Sequence, residues 1–324
     1  MKKLRFGLPV IITGLIFAFS PAFAERQVRV FPPPPPLKSP IAGAFDFHVH
    51  SAPDVFGRSL TDLELARLAA RFGMRGLLLK NHVTSTADRA SLINQLVPEL
   101  EVFGGIVLNR AVGGVNPDAV EWMYRMSGGR GKSVWLPTFD ADHHLKTFGE
   151  PGQGLKVAEG EEVLPETEAV LKVVKRADLI LQTGHISPEE VLAVVKRARK
   201  LGVNHVVVTH AMAEVPGMSL AQLKEAVAMG AYIELIYATQ LEGPHAHLAW
   251  MRNWRHVSIS DMAEVIKEIG AAHFILGTDL GQTGNPTPTD GMLLFAVGLK
   301  QAGLSEAELD VMMRKNPAML LGLR

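Results

Sequence analysis

Apolar and polar positions follow a regular order from residue 44 onward. Short runs of β-branched and other apolar residues, typical of buried strands, are separated by segments with helical periodicity. Eight strands are predicted, at Phe45–His50, Gly76–Val83, Glu101–Leu108, Ser133–Thr138, Leu179–Thr183, His205–His210, Tyr232–Tyr237 and Phe274–Asp279.

The segments between these strands carry helix start signals. Apolar residues recur every three to four positions, as a helix with one buried face requires. A Ser or Thr followed three residues later by Glu or Gln predicts a capping box at four helix starts: Thr61 with Glu64, Ser187 with Glu190, Ser219 with Gln222 and Ser305 with Glu308.

Strands that alternate with helices predict an α/β fold with a parallel sheet, and eight such units predict a single-domain (β/α)8 TIM barrel over residues 44–324. The alternative is an open, doubly wound sheet with a nucleotide site at its switch point. No G-x-G-x-x-G sequence follows the first strand, which favours the barrel.

The N-terminus has the pattern of an export signal over residues 1–24. Lys2, Lys3 and Arg5 precede an apolar stretch at 6–20, and Ala22-Phe23-Ala24 matches a cleavage site. The alternative is a retained anchor, but the apolar stretch is shorter than the ~20 residues a membrane span needs. We therefore expect cleavage after Ala24, a periplasmic or secreted protein, and no stable membrane insertion afterwards.

Residues 25–43 form a proline-rich linker in this interpretation, since five consecutive prolines favour a stiff polyproline II spacer. The signal, the linker and the barrel at 44–324 make up the expected domain order.

Composition narrows the partners and the chemistry. Lysine plus arginine and aspartate plus glutamate are equal at 33 each, so no excess of positive charge indicates nucleic acid, and a small-molecule substrate is expected. The chain has 0 cysteines, so any metal ion must be held by nitrogen and oxygen. Nothing in the sequence indicates the oligomeric state.

Polar side chains follow the predicted strands where an active site is expected. In a parallel barrel the carboxyl ends of the strands meet at one rim. Five of the 12 histidines lie at such ends: His48, His50, His82, His185 and His210. His48 and His50 are two residues apart in a strand, so their side chains should face the same side. An isolated pair of this kind can also be two unrelated polar residues, but its recurrence at other strands indicates a metal site.

The motifs at these strand ends resemble the amidohydrolase superfamily of metal-dependent hydrolases, and in particular a poorly characterised branch of it. The resemblance covers residues 44–324 and rests on Phe47-His48-Val49-His50, Thr183-Gly184-His185, Val208-Thr209-His210, Gly277-Thr278-Asp279 and the tail at 316–323. It implies that His48, His50, His185 and Asp279 bind a metal ion, that His210 binds a second metal or orients the substrate, and that Asp279 transfers the proton.

One departure from that family concerns the second metal. Binuclear members have a bridging carboxylated lysine or glutamate at the end of strand four, where this chain has Trp135 to Phe139. Lys80 could be carboxylated and bridge the metals instead, and its side chain should point the same way as that of His82. Either residue could bind the second metal or contact the substrate. The alternative for Lys80 is an ion pair with Asp54 or with a substrate carboxylate. Glu234 is a further bridging candidate or a partner in a structural ion pair.

The implied ligands, imidazoles and one carboxylate, suit Zn²⁺ and also Mn²⁺, Fe²⁺ or Ni²⁺. Such an ion lowers the pKa of its water from about 15.7 to about 7, so hydrolysis of an amide, lactone, ester or phosphoester is expected. Two alternatives stay open: a mononuclear decarboxylase or lyase of the same barrel type, and a non-catalytic periplasmic binder of a metal or solute.

Two segments could cover the substrate. The connection from Phe139 to Glu166 is unusually long, which is typical of a functional lid, and it contains His143 and His144. A surface hairpin around residues 155–164 is the alternative for this connection. Trp250 and Trp254 lie in a stretch with helical character and could form a wall of the substrate site.

Overall fold

Eight parallel strands pair in chain order within residues 39–323, the part of the chain that the computed structural model describes. Helices separate them, as expected for a parallel sheet. The strands are β1 (Phe45–Val49), β2 (Gly76–Leu79), β3 (Glu101–Val107), β4 (Gly131–Trp135), β5 (Ile180–Gln182), β6 (His205–Val208), β7 (Tyr232–Ile236) and β8 (Phe274–Gly277).

The sheet closes on itself where β8 meets β1. The backbone N–H of Asp279 donates to the carbonyl of His48 at 2.8 Å, and the N–H of His50 donates to the carbonyl of Leu280 at 2.8 Å. The predicted (β/α)8 barrel is therefore confirmed, and the open sheet is excluded.

The helices are α1 (Asp62–Arg71), α2 (Ala87–Leu96), α3 (Pro117–Tyr124), α4 (Asp142–Phe148), α5 (Pro165–Arg176), α6 (Pro188–Leu201), α7 (Leu220–Ala228), α8 (Ile259–Ile269), α9 (Pro288–Gln301), α10 (Glu306–Asp310) and α11 (Asn316–Leu320). All four predicted capping boxes are present, at the starts of α1, α6, α7 and α10.

The predicted strands extend beyond the observed ones at their carboxyl ends. The second was expected to reach Val83 but ends at Leu79, and the last was expected to reach Asp279 but ends at Gly277. The polar residues at these ends leave the sheet and turn into the barrel mouth. Two of them, His210 and Asp279, have left-handed backbone φ angles of 28° and 54°, which no strand can continue through.

The two ends of the barrel differ. At the amino-terminal end, Leu320 and Leu321 pack in the same buried cluster as Phe45, the first residue of β1. Apolar side chains therefore fill that end, and the polar residues that follow the strands lie at the opposite rim.

The predicted export signal and residues 25–38 of the predicted linker lie outside the described residues and stay predictions. Residues 39–43 form a turn that leads into β1, and Arg314 donates to the carbonyl of Ala42 at 2.7 Å. Within 39–323, no helix is long and apolar enough to cross a membrane.

Candidate functional site

Three of the predicted metal ligands lie together at the seam between β1 and β8. The donor atoms of His48, His50 and Asp279 all lie within 4.8 Å of one another. Nε2 of His48 is 3.2 Å from Oδ1 of Asp279, and Nε2 of His50 is 2.9 Å from the same oxygen. Two imidazoles and one carboxylate that converge on one point have the chemistry of a divalent metal site.

The Gly277-Thr278-Asp279 motif builds this corner. A Cβ atom on Gly277 would lie 2.7 Å from the Cβ of His48, so only glycine leaves space for that ring. Thr278 donates to the buried carboxyl of Asp46 from its N–H at 2.8 Å and from its hydroxyl at 2.6 Å. Burial raises the pKa of Asp46 to about 8. The chain then turns through the left-handed φ of Asp279, which directs the carboxylate toward the histidines.

Glu234 orients His48. Its Oε2 lies 3.0 Å from Nδ1 of His48, and both side chains are fully buried. Because a carboxylate only accepts, the proton of the neutral ring lies on Nδ1, and Nε2 presents a lone pair. This Nε2 is buried without a hydrogen-bond partner and faces a carboxylate oxygen of Asp279. Two electron pairs at this distance repel, and a cation between them would remove the repulsion. The residues therefore fit a metal ion, with Glu234 in the supporting position common behind metal-binding histidines.

His50 is held differently. Its Nδ1 lies 3.3 Å from Nη2 of Arg58, whose Nε donates to Asp54 at 2.7 Å. A guanidinium only donates, so the neutral ring of His50 carries its proton on Nε2 and donates it to Asp279. Burial lowers the pKa of His50 well below its usual value, and the charge of Arg58 adds to this shift. For Nε2 to bind a metal, the proton must move to Nδ1 and Arg58 must turn away.

His185 and His210 lie beside the three-ligand group but outside it. The ring centroid of His210 is 5.8 Å from that of His48 and 4.9 Å from that of His185. Nδ1 of His210 is buried without a hydrogen-bond partner, and burial lowers the pKa of its ring to about 3. Nδ1 of His185 lies 2.8 Å from Nδ1 of His144. Metal binding by His185 and His210 stays a prediction.

Lys80 reaches the same site from the end of β2. It is 2% exposed and lines the cavity above the three ligands. Asp54 pairs with Arg58, and no residue within 39–323 forms a hydrogen bond or ion pair with the Lys80 ammonium. The expected ion pair between Lys80 and Asp54 is therefore absent. Burial lowers the pKa of Lys80 to about 8.

His82 is engaged through Nδ1, which lies 2.9 Å from the hydroxyl of Thr138. That hydroxyl also accepts a hydrogen bond from Asn109 at 2.8 Å, so the contact to His82 is part of a buried hydrogen-bond network. The ring stacks on Phe139 with centroids 4.1 Å apart. This arrangement favours substrate contact over metal binding for His82.

A cavity of about 750 Å³ opens above the candidate ligands. Both predicted tryptophans line it, together with three phenylalanines, so its aromatic lining is Phe56, Phe139, Phe148, Trp250 and Trp254. The long β4–β5 connection contributes His144 and Phe148 through α4 and also forms a hairpin at Ala158–Glu159 and Glu162–Val163. His143 lies outside this cavity and lines a smaller depression instead.

Arg58 and Glu242 are among the cavity residues that the sequence analysis did not predict. Arg58 lies in the loop after β1, and Glu242 lies beyond the short helix that follows β7. Glu242 is 8% exposed, and its Oε2 is buried without a hydrogen-bond partner. Burial raises its pKa well above the usual value, and the negative charge of Asp279 adds to the shift. The only available signal was their position in loops that follow barrel strands.

Residues 43–234 match the sequence profile of a family of unknown function, DUF6282. No curated protein matches the chain.

Solved structures share the fold at low identity. The organophosphorus hydrolase from Deinococcus radiodurans is 15% identical, with a TM-score of 0.56 over 87% of this chain and 93% of that chain. A structure described as organophosphate hydrolysis activity engineered from a weak promiscuous lactonase template is 15% identical, with a TM-score of 0.55 over 87% and 96%. A probable 2-pyrone-4,6-dicarboxylic acid hydrolase from Acinetobacter baumannii with citric acid bound is 16% identical, with a TM-score of 0.52 over 87% and 100%.

Proposed function

We propose that this chain, which belongs to the DUF6282 family of unknown function, is a metal-dependent hydrolase of a small molecule. One observation carries this proposal: His48, His50 and Asp279 bring their donor atoms within 4.8 Å of one another at the open rim of the barrel. The fold shared with an organophosphorus hydrolase and a probable pyrone-dicarboxylate hydrolase supports it.

The cation in this proposal is divalent, with Zn²⁺ favoured by the nitrogen and oxygen donors. When bound, it would lower the pKa of water from about 15.7 to about 7 and polarise a carbonyl or phosphoryl oxygen of the substrate.

Asp279 is the proposed general base. The Asp279 side chain is 19% exposed, whereas those of His48 and His50 are almost fully buried, so its carboxylate is the ligand accessible to water and substrate. Burial raises the pKa of Asp279, but the surrounding positive charge and the hydrogen bond from His50 outweigh this and hold it well below the usual value. Asp279 is therefore ionised at neutral pH, so it can accept a proton from the attacking water and return it to the leaving group.

Lactones and phosphoesters are the first bonds to test, because the structural neighbours are described as a lactonase template, an organophosphorus hydrolase and a pyrone-dicarboxylate hydrolase. Carboxylic esters and amides follow, since the same attack by activated water applies to them.

The test compares the unsubstituted protein with Asp279→Asn, measuring metal content by mass spectrometry and hydrolysis of an aliphatic δ-lactone, a p-nitrophenyl ester and a phosphotriester. We expect Asn to reduce kcat by at least about 10²-fold, the usual contribution of a general base. Asp88→Asn, on the exposed start of α2, is the matched control and should retain both metal and activity.

Hydrolysis that is unchanged in Asp279→Asn, or that survives complete metal removal, would contradict the proposal. Release of carbon dioxide from a carboxylic acid, with no hydrolysis of any substrate, would identify the lyase alternative instead. Metal bound by the unsubstituted protein without turnover of any compound would identify a binding protein.

A further inference from the structure

We infer that the substrate of the proposed hydrolase carries a carboxylate on a planar unsaturated ring, and that Lys80 and Arg58 hold this carboxylate while the aromatic walls of the cavity hold the ring. The inference rests on the proposed function and specifies its substrate class.

The first observation is the isolation of Lys80. The residue is 2% exposed and lines the cavity, its Nζ lies 5.9 Å from the centre of the Trp135 ring, and it has no hydrogen-bond or ion-pair partner among residues 39–323. The two nearest carboxylates form no ion pair with it: Glu234 binds Nδ1 of His48 through Oε2, and Asp279 faces both candidate ligand histidines. An aromatic face compensates only part of the hydration that a buried ammonium loses, and an anion bound in the cavity would supply the rest.

The second observation is the position of Arg58. Its Nε is anchored on Asp54 at 2.7 Å, while Nη2 contacts Nδ1 of His50 at 3.3 Å. That second contact cannot persist when His50 binds a cation through Nε2, because Nδ1 then carries the ring proton. Arg58 would stay tethered by Asp54 and turn its Nη groups to the cavity that it lines. A planar guanidinium fork suits a carboxylate in two parallel hydrogen bonds.

The third observation is the shape of the walls. Phe56 and Phe139 meet edge to face with centroids 5.7 Å apart, and Phe148 lies 4.6 Å from Trp254. Flat aromatic surfaces of this kind favour a planar apolar body. Arg58 lies over the Phe56 ring at 5.6 Å, so the anion-binding group adjoins the aromatic wall. A ring with a coplanar carboxylate matches this juxtaposition better than a tetrahedral phosphate on a flexible chain.

The test measures binding rather than turnover. The full-length purified protein, metal-loaded and metal-free, is titrated calorimetrically with benzoate, with the neutral isostere benzamide and with phenyl phosphate. We expect the metal-loaded protein to bind benzoate at least ~10-fold more tightly than benzamide, which corresponds to a difference in binding free energy of about 1.4 kcal/mol. Lys80→Met and Arg58→Met should each weaken benzoate binding by a similar factor and leave benzamide binding unchanged.

Arg110→Met is the matched control, because Arg110 lies in the loop after β3, is exposed and does not line the cavity. It removes the same charge and should leave benzoate binding unchanged. Lys80→Met should fold, since it replaces a buried cation that has no hydrogen-bond or ion-pair partner by an apolar chain of similar length. Arg58→Lys, which keeps the charge but loses the fork, provides a second variant and should recover only part of the affinity.

Three results would overturn the inference: equal binding of benzoate and benzamide, stronger binding of phenyl phosphate than of benzoate, or benzoate binding that requires the metal ion but is insensitive to Lys80→Met and Arg58→Met. The last result would mean that the carboxylate binds the cation directly. If the protein binds no metal and hydrolyses nothing, yet benzoate binding depends on Lys80 and Arg58, the hydrolase proposal fails while the anion site stands.

Discussion

At the residue scale, unfavourable features gather around one point of the molecule. Of the three non-glycine residues with left-handed φ in the described chain, two are His210 and Asp279. Each such conformation costs roughly 1–3 kcal/mol and persists only where the surroundings impose it. Unpartnered buried atoms of His48, Glu234 and His210 lie in the same place. This concentration of strain and unsatisfied polar groups is typical of a functional site.

Glu242 provides a pH-dependent prediction at this scale. Burial raises its pKa, and the negative charges of Asp279 and Glu214 raise it further. As pH rises above the normal carboxyl pKa, the unfolded chain releases this proton and the folded protein retains it, so the folded state loses relative stability. We expect Glu242→Gln to raise the free energy of unfolding by about 1 kcal/mol at pH 8 and to change it little at pH 4.

Urea unfolding of the metal-free protein at both pH values checks this expectation. Glu64→Gln is the control of opposite sign. Hydrogen bonds from Thr61 lower the pKa of Glu64, so its stabilising effect is present at pH 8 and is lost as pH falls. Glu64→Gln should therefore destabilise the protein more at pH 8 than at pH 4. A Glu242→Gln variant that is less stable than the parent at pH 8 would show that Glu242 is ionised and paired.

At the scale of the elements, the seam between β1 and β8 is both the closure of the barrel and the frame of the site. The backbone bonds that join Asp279 to His48 and His50 to Leu280 also set the spacing of the candidate ligands. Any change that separates these strands must also separate the donor atoms.

Gly277→Ala tests that coupling. The new Cβ would lie 2.7 Å from Cβ of His48 and 3.2 Å from its backbone nitrogen, neither of which can move without displacing β1. We expect a loss of stability of about 1–3 kcal/mol from overpacking, together with a loss of bound metal because His48 is displaced. Thermal unfolding and metal analysis measure the two effects.

Gly76→Ala is the matched control. Its Cβ would lie 2.3 Å from the carbonyl of Glu101 and 2.5 Å from the ring of Phe45, at the amino-terminal ends of the strands and away from the candidate ligands. It should lower stability to a similar extent and retain the metal. Equal metal content in both variants would show that metal binding does not depend on the seam between β1 and β8.

At the scale of the whole molecule, the proposed ion is bound by residues from the first and the last strand of the barrel. It therefore links parts of the chain that are far apart in sequence. An ion that binds the folded protein and not the unfolded chain stabilises the fold by mass action. We expect free Zn²⁺ at 100 times its Kd to raise the free energy of unfolding by about 2.7 kcal/mol.

Denaturant unfolding of chelator-treated protein with and without added metal measures this difference. Mg²⁺ at the same concentration is the control and should have little effect, because imidazole ligands suit it poorly. Stabilisation by Mg²⁺ equal to that by Zn²⁺ would indicate carboxylate binding elsewhere on the surface, and no stabilisation by either ion would contradict the metal site.

The sequence by itself determined the class of fold, because the alternation of apolar strands and amphipathic helices and the capping boxes act over a few residues. It also indicated that His48, His50 and Asp279 lie at strand ends, since a parallel barrel gathers those ends at one rim. It overestimated the strand lengths, because the apolar pattern cannot show where polar residues turn out of the sheet.

Only the tertiary structure decided which side chains contact one another in the site. The pairing of Glu234 with His48, of Arg58 with Asp54 and His50, and the isolation of Lys80 depend on contacts between side chains far apart in the chain. Local pattern carries no information about such contacts, because they arise when strand register and loop packing bring separate elements within a few ångströms. The types of ligand residue could therefore be predicted from the sequence. The histidine tautomers, the lack of an ion-pair partner for Lys80 and the residues that line the cavity could not.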